Sequence, residues 1–442
     1  MRTRKHPAPE SVAAFREGRL MPEEGLPIFR HLMACRACRE AARPAVEAVI
    51  AGPDGPAAWT AEHYEFPLRK VENWVREVGA GFTRERADAE RELLAFFAPV
   101  LPRSDYPLPG GAAGLRGWQR CEVLLEWAQL FRRHDPQKSW AAAQWAVVCA
   151  EKLDPERHPV GLTEDLRCRA WAELGNGWRL LGDLAEAEHA FQGALVHWQR
   201  GSEDFPLLAR VMSLVGSLQM AQRRFEEAQA TFRRVADWCD ESGETLLAGR
   251  ALLNLGTALG YEDRLEPAVA AFLDAADRLG RAGAAREQFV AIHNLIECQV
   301  RLGRFFDALR TQRRALPLYR RHATEMDEIK RRKVEGNIRA GLGNLGQADA
   351  ILGAVEKEYE RRGMPFHMGL TALDRASVWV RQGRHAELAD LADRLVATFR
   401  ALGIAREALA ALLLFQEAAR AERATLALVR TVAARVEKAG RG

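Results

Sequence analysis

From about residue 160 onward, apolar residues recur three and four positions apart, the spacing of one face of an α-helix, and short polar turns cut that face at regular intervals. The segments LLGDLAEAEHAF (180–191), AQRRFEEAQATF (221–232), YEDRLEPAVAAF (261–272), RLGRFFDALRTQ (301–312), GLGNLGQADAIL (341–352) and RQGRHAELADLA (381–392) can be laid on one another. Their turn residues are Gly182, Arg223, Asp263, Gly303, Gly343 and Gly383, so the steps are 41, 40, 40, 40 and 40. Each unit reads as a helix, a tight turn and a second amphipathic helix. Ala187, Ala228, Ala268, Ala308 and Ala348 stand five places past the turn residue, where a small side chain lets the second helix approach the first. Phe191, Phe232 and Phe272 follow one helical turn later and fill the space so made. Such a hairpin cannot bury its apolar stripe alone and has to stack on its neighbours.

These residues carry a family resemblance. The first unit, Trp171, Leu174, Gly175, Trp178, Gly182, Ala187, Phe191 and Ala194 in spacing, resembles a tetratricopeptide repeat at nearly every signature position, and Leu255, Gly256, Leu259, Ala268, Phe272 and Ala275 repeat the offsets in the third. The remaining units are degenerate: Arg223 replaces the turn glycine and Leu388 the small alanine. The step of forty exceeds the family's usual length of about 34, which implies longer helices or loops such as RGSEDFPLLA (200–209). The resemblance spans roughly residues 165 to 400 and implies an α-α superhelical solenoid that binds other proteins.

The flanks complete an all-α reading. Two amphipathic helices over 115–153 predict a capping pair, and residues 401–442 a closing pair. Gly- and Pro-rich stretches at 51–68 and 102–114 read as linkers around a helical segment with a possible break at Gly79 to Gly81. The expected organisation is a small module over 1–50, a linker with one helix over 51–114, a capping pair over 115–160, repeats over 161–400 and closing helices over 401–442.

Charge alters this picture little. Lys+Arg exceed Asp+Glu by 64 to 60, spread along the chain, which gives no support to direct nucleic-acid binding. The N-terminus lacks a continuous apolar stretch of the secretory kind, and the longest apolar run, WAAAQWAVVCA (140–150), is too short to span a bilayer. Five of the seven cysteines (Cys121, Cys149, Cys168, Cys239 and Cys298) stand singly among apolar residues, as expected of reduced, buried thiols in a cytoplasmic protein.

The other two belong to RHLMACRAC (30–38). His31, Cys35 and Cys38 are spaced i, i+4 and i+7, so on a helix they share one face, and zinc held structurally takes four such ligands. His6, just ahead of the helix start Pro7-Ala8-Pro9-Glu10, is the candidate fourth. His6, then His31-x3-Cys35-x2-Cys38, resembles the zinc-binding anti-sigma module over about residues 4 to 50. The resemblance implies one structural zinc ion, a short helical bundle and a sigma-like transcription partner. A redox disulfide between Cys35 and Cys38 is the competing reading, because relatives in that family sense oxidants. Few large apolar residues occur here (Phe15, Leu20, Leu26, Ile28, Phe29 and Leu32), so a metal staple has much to add.

No HExxH, GxxxxGK[ST] or GxSxG occurs, and no nucleophile stands beside a base, so an enzyme is not expected. His293 and Glu297, one turn apart, read as a hydrogen-bonded pair. The tetratricopeptide resemblance places first helices along a groove, where Arg169, Asn176, Arg210, Arg250 and Lys330 fall, with Lys333 and Asn337 at positions that in some members hold a peptide carboxylate. The completing residue is Asp374, of the wrong sign. Two functions follow: a regulatory adaptor whose zinc module binds a sigma-like factor while the groove takes another protein or an acidic peptide, or a plain scaffold in which zinc only holds a cap.

Overall fold

The computed structural model describes residues 6–16, 27–28, 31, 35, 38, 83–94, 117–132, 134–154 and 158–439. Among these residues all regular structure is helical, and the chain forms two compact units, Met1–Arg224 and Phe225–Gly442. The predicted linkers at 51–68 and 102–114 and the predicted break at Gly79 to Gly81 lie outside the described residues.

The forty-residue step has a simple origin. Phe205–Ala221, Phe225–Glu241, Thr245–Tyr261, Leu265–Arg281 and Ala285–Arg301 are each 17 residues long. Three residues join each to the next, so two helices and two turns make one period. The length beyond the usual repeat therefore lies in the helices. Both kinds of turn, within a hairpin and between hairpins, place their middle residue in the left-handed region, as at Gly243 (φ 75°), Gly283 (φ 70°) and Gly303 (φ 74°). Arg223 (φ 63°) and Asp263 (φ 62°) take the same conformation with a side chain attached, at a cost of about 1 kcal/mol each.

In the second unit the first helices form a row. Thr245–Tyr261 touches Ala285–Arg301, which touches Glu325–Gly341, which touches Pro365–Gln382, while each second helix packs on the first helices beside it. Small residues permit the approach. Ala268 and Phe272 are buried, and a Cβ added to Gly256 would lie 2.7 Å from the Phe272 ring. Burying one such ring contributes about 2 to 3 kcal/mol. The last helix, Leu426–Ala439, returns to pack against Pro365–Gln382 as well as Arg406–Arg420, and buries Val429, Val432 and Val436.

The first unit uses the same rules at its start. Trp118–Phe131 and Pro136–Glu151 pair through Leu124, Leu125, Ala128 and Trp145, and Asp135 caps the second helix by accepting the Lys138 N–H at 3.0 Å. Residues 83–94 are helical and docked rather than free: Ala89 and Leu93 are buried, and Leu93 joins the core of this first pair. Ion pairs Arg86–Glu126 and Arg120–Glu92 run alongside.

Candidate metal centre and inner groove

Four side chains from the N-terminal segment meet at one point. His6 Nδ1 lies 3.2 Å from His31 Nε2, 3.0 Å from Cys38 Sγ and 3.7 Å from Cys35 Sγ, and His31 Nε2 lies 3.2 Å from Cys38 Sγ. All four donor atoms fall within 4.8 Å of one another. With Zn–N near 2.1 Å and Zn–S near 2.3 Å, a tetrahedron has edges of about 3.3 to 3.8 Å. The observed separations approach those edges, and two imidazoles with two sulfurs are a donor set suited to zinc. The His6 and His31 rings meet edge to face, with centroids 5.2 Å apart, so each presents one nitrogen to the cluster. Desolvation and the adjacent Cys35 sulfur push the Cys38 thiol above its ordinary value. A bound cation acts in the opposite direction by favouring thiolates.

The local structure corrects one expectation. Positions seven apart on an unbroken helix stand about 10.5 Å apart along its axis, too far for His31 and Cys38 to close on one ion. His31 and Cys38 are helical, but Cys35 between them is not. His31 Nε2 and Cys38 Sγ nevertheless stand 3.2 Å apart. His6 precedes helix Pro9–Arg16, and in the second half of the module Ile28 is buried.

The remaining thiols are elsewhere. Cys121, Cys149, Cys168, Cys239 and Cys298 are buried and unbridged, and burial pushes Cys149 and Cys168 up to about 12.

Along the first helices, several of the expected groove cations meet carboxylates. Arg169 donates to both oxygens of Glu122 at 2.7 and 2.8 Å, and Arg250 pairs with Glu287 at 2.7 Å. Lys333 pairs with Asp374 at 3.3 Å, and Asn337 Nδ2 donates to the same carboxylate at 3.1 Å. Arg169, Arg250 and Lys333 thereby tie neighbouring helices together. Asn176 is 1% exposed and accepts from Arg179 at 2.8 Å, so packing of the first unit removes it from any partner's reach. Arg210 and Lys330 stay exposed.

Around Lys333 the second unit gathers a mixed set of groups. His293 lies 2.9 Å from the Tyr319 hydroxyl and 3.5 Å from Glu297. Desolvation acts to raise the Glu297 carboxyl, yet His293, Lys333 and Lys330 hold it down to about 2. Glu437, on the returning C-terminal helix, adds its charge to those of Asp374 and Glu297 near Lys333. This stretch of the inner row is close to neutral rather than basic.

No protein-family model matches the chain, and no curated protein matches it in sequence. Solved structures are similar in part. A Rap protein complexed with competence and sporulation factor aligns with a TM-score of 0.48 at 11% identity, over 71% of this chain and 86% of that one. A signal-transduction ATPase with a tetratricopeptide repeat sensor from Pyrococcus horikoshii aligns with a TM-score of 0.49 at 11% identity, over 86% of this chain and 51% of that one. BtubC from P. vanneervenii aligns with a TM-score of 0.44 at 18% identity, over 52% of this chain and 92% of that one.

At sequence level Asp374 is taken only as a residue of the wrong sign, and Glu122 and Glu287 are missed as counter-ions, although a signal exists. Glu287 follows Arg250 by 37 positions and Asp374 follows Lys333 by 41, close to one repeat period in each case. An opposite charge one period downstream is what adjacent first helices need in order to pair. Among the described residues no helix is long and apolar enough to cross a membrane.

Proposed function

We propose that this chain is a non-catalytic interaction adaptor, in which a zinc-held N-terminal module contacts a sigma-like transcription factor and the helical repeats take a second protein. The observation that carries the reading is the convergence of His6, His31, Cys35 and Cys38 within 4.8 Å. Bound there, zinc supplies a tetrahedral crosslink and no reaction. His6 then ties the start of helix Pro9–Arg16 to His31, Cys35 and Cys38, a staple from which so short a segment gains much. In the second unit the row of first helices offers a surface on which Lys330 is exposed to a partner, and in the first unit Arg210 is exposed. A cytoplasmic setting agrees with seven unbridged cysteines.

Metal analysis of the purified full-length protein beside a His31→Ala, Cys35→Ser double variant tests the module. One zinc per chain in the wild type and none in the variant is the expected result; no zinc in either overturns it. Pairwise binding of both proteins to the sigma factors of the same genome then tests the partner. Binding by the wild type that the variant loses supports the adaptor. A variant that keeps every partner leaves the scaffold reading, in which the module is only a cap.

A further inference from the structure

The outer face of the second unit is not closed everywhere. Between helices Leu265–Arg281 and Phe305–His322, above Ala285–Arg301, runs a cleft of about 580 Å³. That volume falls in the range of ligand-binding clefts. Leu273, Ala276, Ile292, Leu295, Ala315 and Leu318 make its surface apolar. Pro317 adds its ring to the wall and, having no N–H, leaves the Arg313 carbonyl without an intrahelical donor.

Leu273 is out of place for a surface position. It stands ten residues past the turn residue Asp263, where the other units carry Gln192, Arg233, Arg313, Gly353 and Asp393. Only this unit presents a large apolar side chain there, and it is 52% exposed. Exposed apolar surface beside a cleft, rimmed by polar groups, marks an interaction site.

The rim fixes the sign of the partner. Helix Phe305–His322 holds five arginines and one acid, Asp307, which Arg310 occupies at 2.5 Å. Asp277, the acid in the cleft lining, is held by Arg281 at 2.8 Å. Arg314 and Arg321 line the cleft and meet no carboxylate among the described residues. They are seven residues apart, about 10.5 Å along the helix. The two guanidiniums are met at once by a partner whose acids can span that distance. Two acids seven apart on a partner helix can, as can two acids three apart on an extended chain at about 3.3 Å per residue.

We propose that this outer cleft docks an acidic amphipathic peptide segment of a partner protein, with an apolar side chain seated against Leu273 and Ile292 and flanking carboxylates on Arg314 and Arg321. The cleft is walled by two second helices with the first helix Ala285–Arg301 as its floor, and it does not depend on the zinc module.

A displayed library of random sixteen-residue peptides, selected on the full-length protein, tests this. The expected winners carry an apolar residue between acids, and binding falls at least tenfold in both Leu273→Asp and Arg314→Glu/Arg321→Glu, while Lys330→Glu on the inner row changes nothing. These side chains are exposed or on the rim, and thermal unfolding of each variant establishes that it folds. Winners that tolerate both cleft variants, or that are lost with Lys330→Glu instead, overturn the proposal. So does the absence of any winner, and saturable binding of oleate that Leu273→Asp abolishes would then reassign the cleft to a fatty acid.

Discussion

Asp327 holds the guanidinium of Arg286 at 2.8 Å while it closes the cap of its own helix, accepting the Thr324 N–H at 2.9 Å and the Thr324 hydroxyl at 2.7 Å. One carboxylate thus joins the start of Ala285–Arg301 to the start of Glu325–Gly341, two neighbours in the row of first helices. Desolvation works against the charged form, but Arg286 and Thr324 outweigh it and bring the carboxyl down to about 2.

The folded state therefore holds its proton less tightly than the unfolded chain, where an aspartate titrates near 3.9. The stabilisation is complete above that value and disappears as pH falls toward about 2. Asp327→Asn is expected to lose about 1 to 2 kcal/mol at neutral pH, with the gap to wild type closing below about pH 4. Urea unfolding of both proteins across that range checks it; a gap that does not change with pH would count against the ion pair.

Two glycines of one helix should respond in opposite directions. Gly256 faces the Phe272 ring, where a Cβ would sit 2.7 Å away, and Gly260 has nothing within 4 Å of its added Cβ. Gly256→Ala is expected to destabilise by about 1 to 3 kcal/mol through overpacking. Gly260→Ala should stabilise by about 0.5 to 1 kcal/mol, because the unfolded chain loses freedom and nothing is displaced. Melting temperatures of the two variants decide the matter, and a Gly256→Ala protein at least as stable as wild type would contradict the close packing at Phe272.

The seven thiols should fall into two classes. Burial holds Cys149 and Cys168 at about 12 and Cys239 and Cys298 at about 11, with Cys121 also raised, so none of these five offers much thiolate at neutral pH. Cys35 and Cys38 are partly exposed. Titration of the native protein with a disulfide reagent is expected to find no fast-reacting thiol when zinc is bound and two after chelation. Two fast thiols in the zinc-loaded protein would remove these sulfurs from the coordination set.

Much of this was legible in the chain itself. Turn residues at a step of forty, small alanines five places later and aromatic residues one turn beyond fix a hairpin and its stacking, because each describes contact between residues close in sequence. The spacing of His31, Cys35 and Cys38 likewise marks three donors, since the distance along the chain limits what one ion can gather. Periodicity could not reveal the interruption at Cys35 or the docking of residues 83–94, which depend on what the backbone meets elsewhere.

The character of the surfaces was decided only in three dimensions. A row of basic residues predicts a basic groove when each is read alone, yet Glu122, Glu287 and Asp374 arrive from neighbouring helices and neutralise Arg169, Arg250 and Lys333. On the outer face the converse holds, where Arg314 and Arg321 keep no counter-ion among the described residues beside an open apolar cleft. The sequence determined that helices form, how long they run and which stripe each must bury, since local spacing governs those choices. Which charges are cancelled and which stay available depended on the packing of helices some forty residues apart, because Coulomb interactions act through space and take no account of order along the chain.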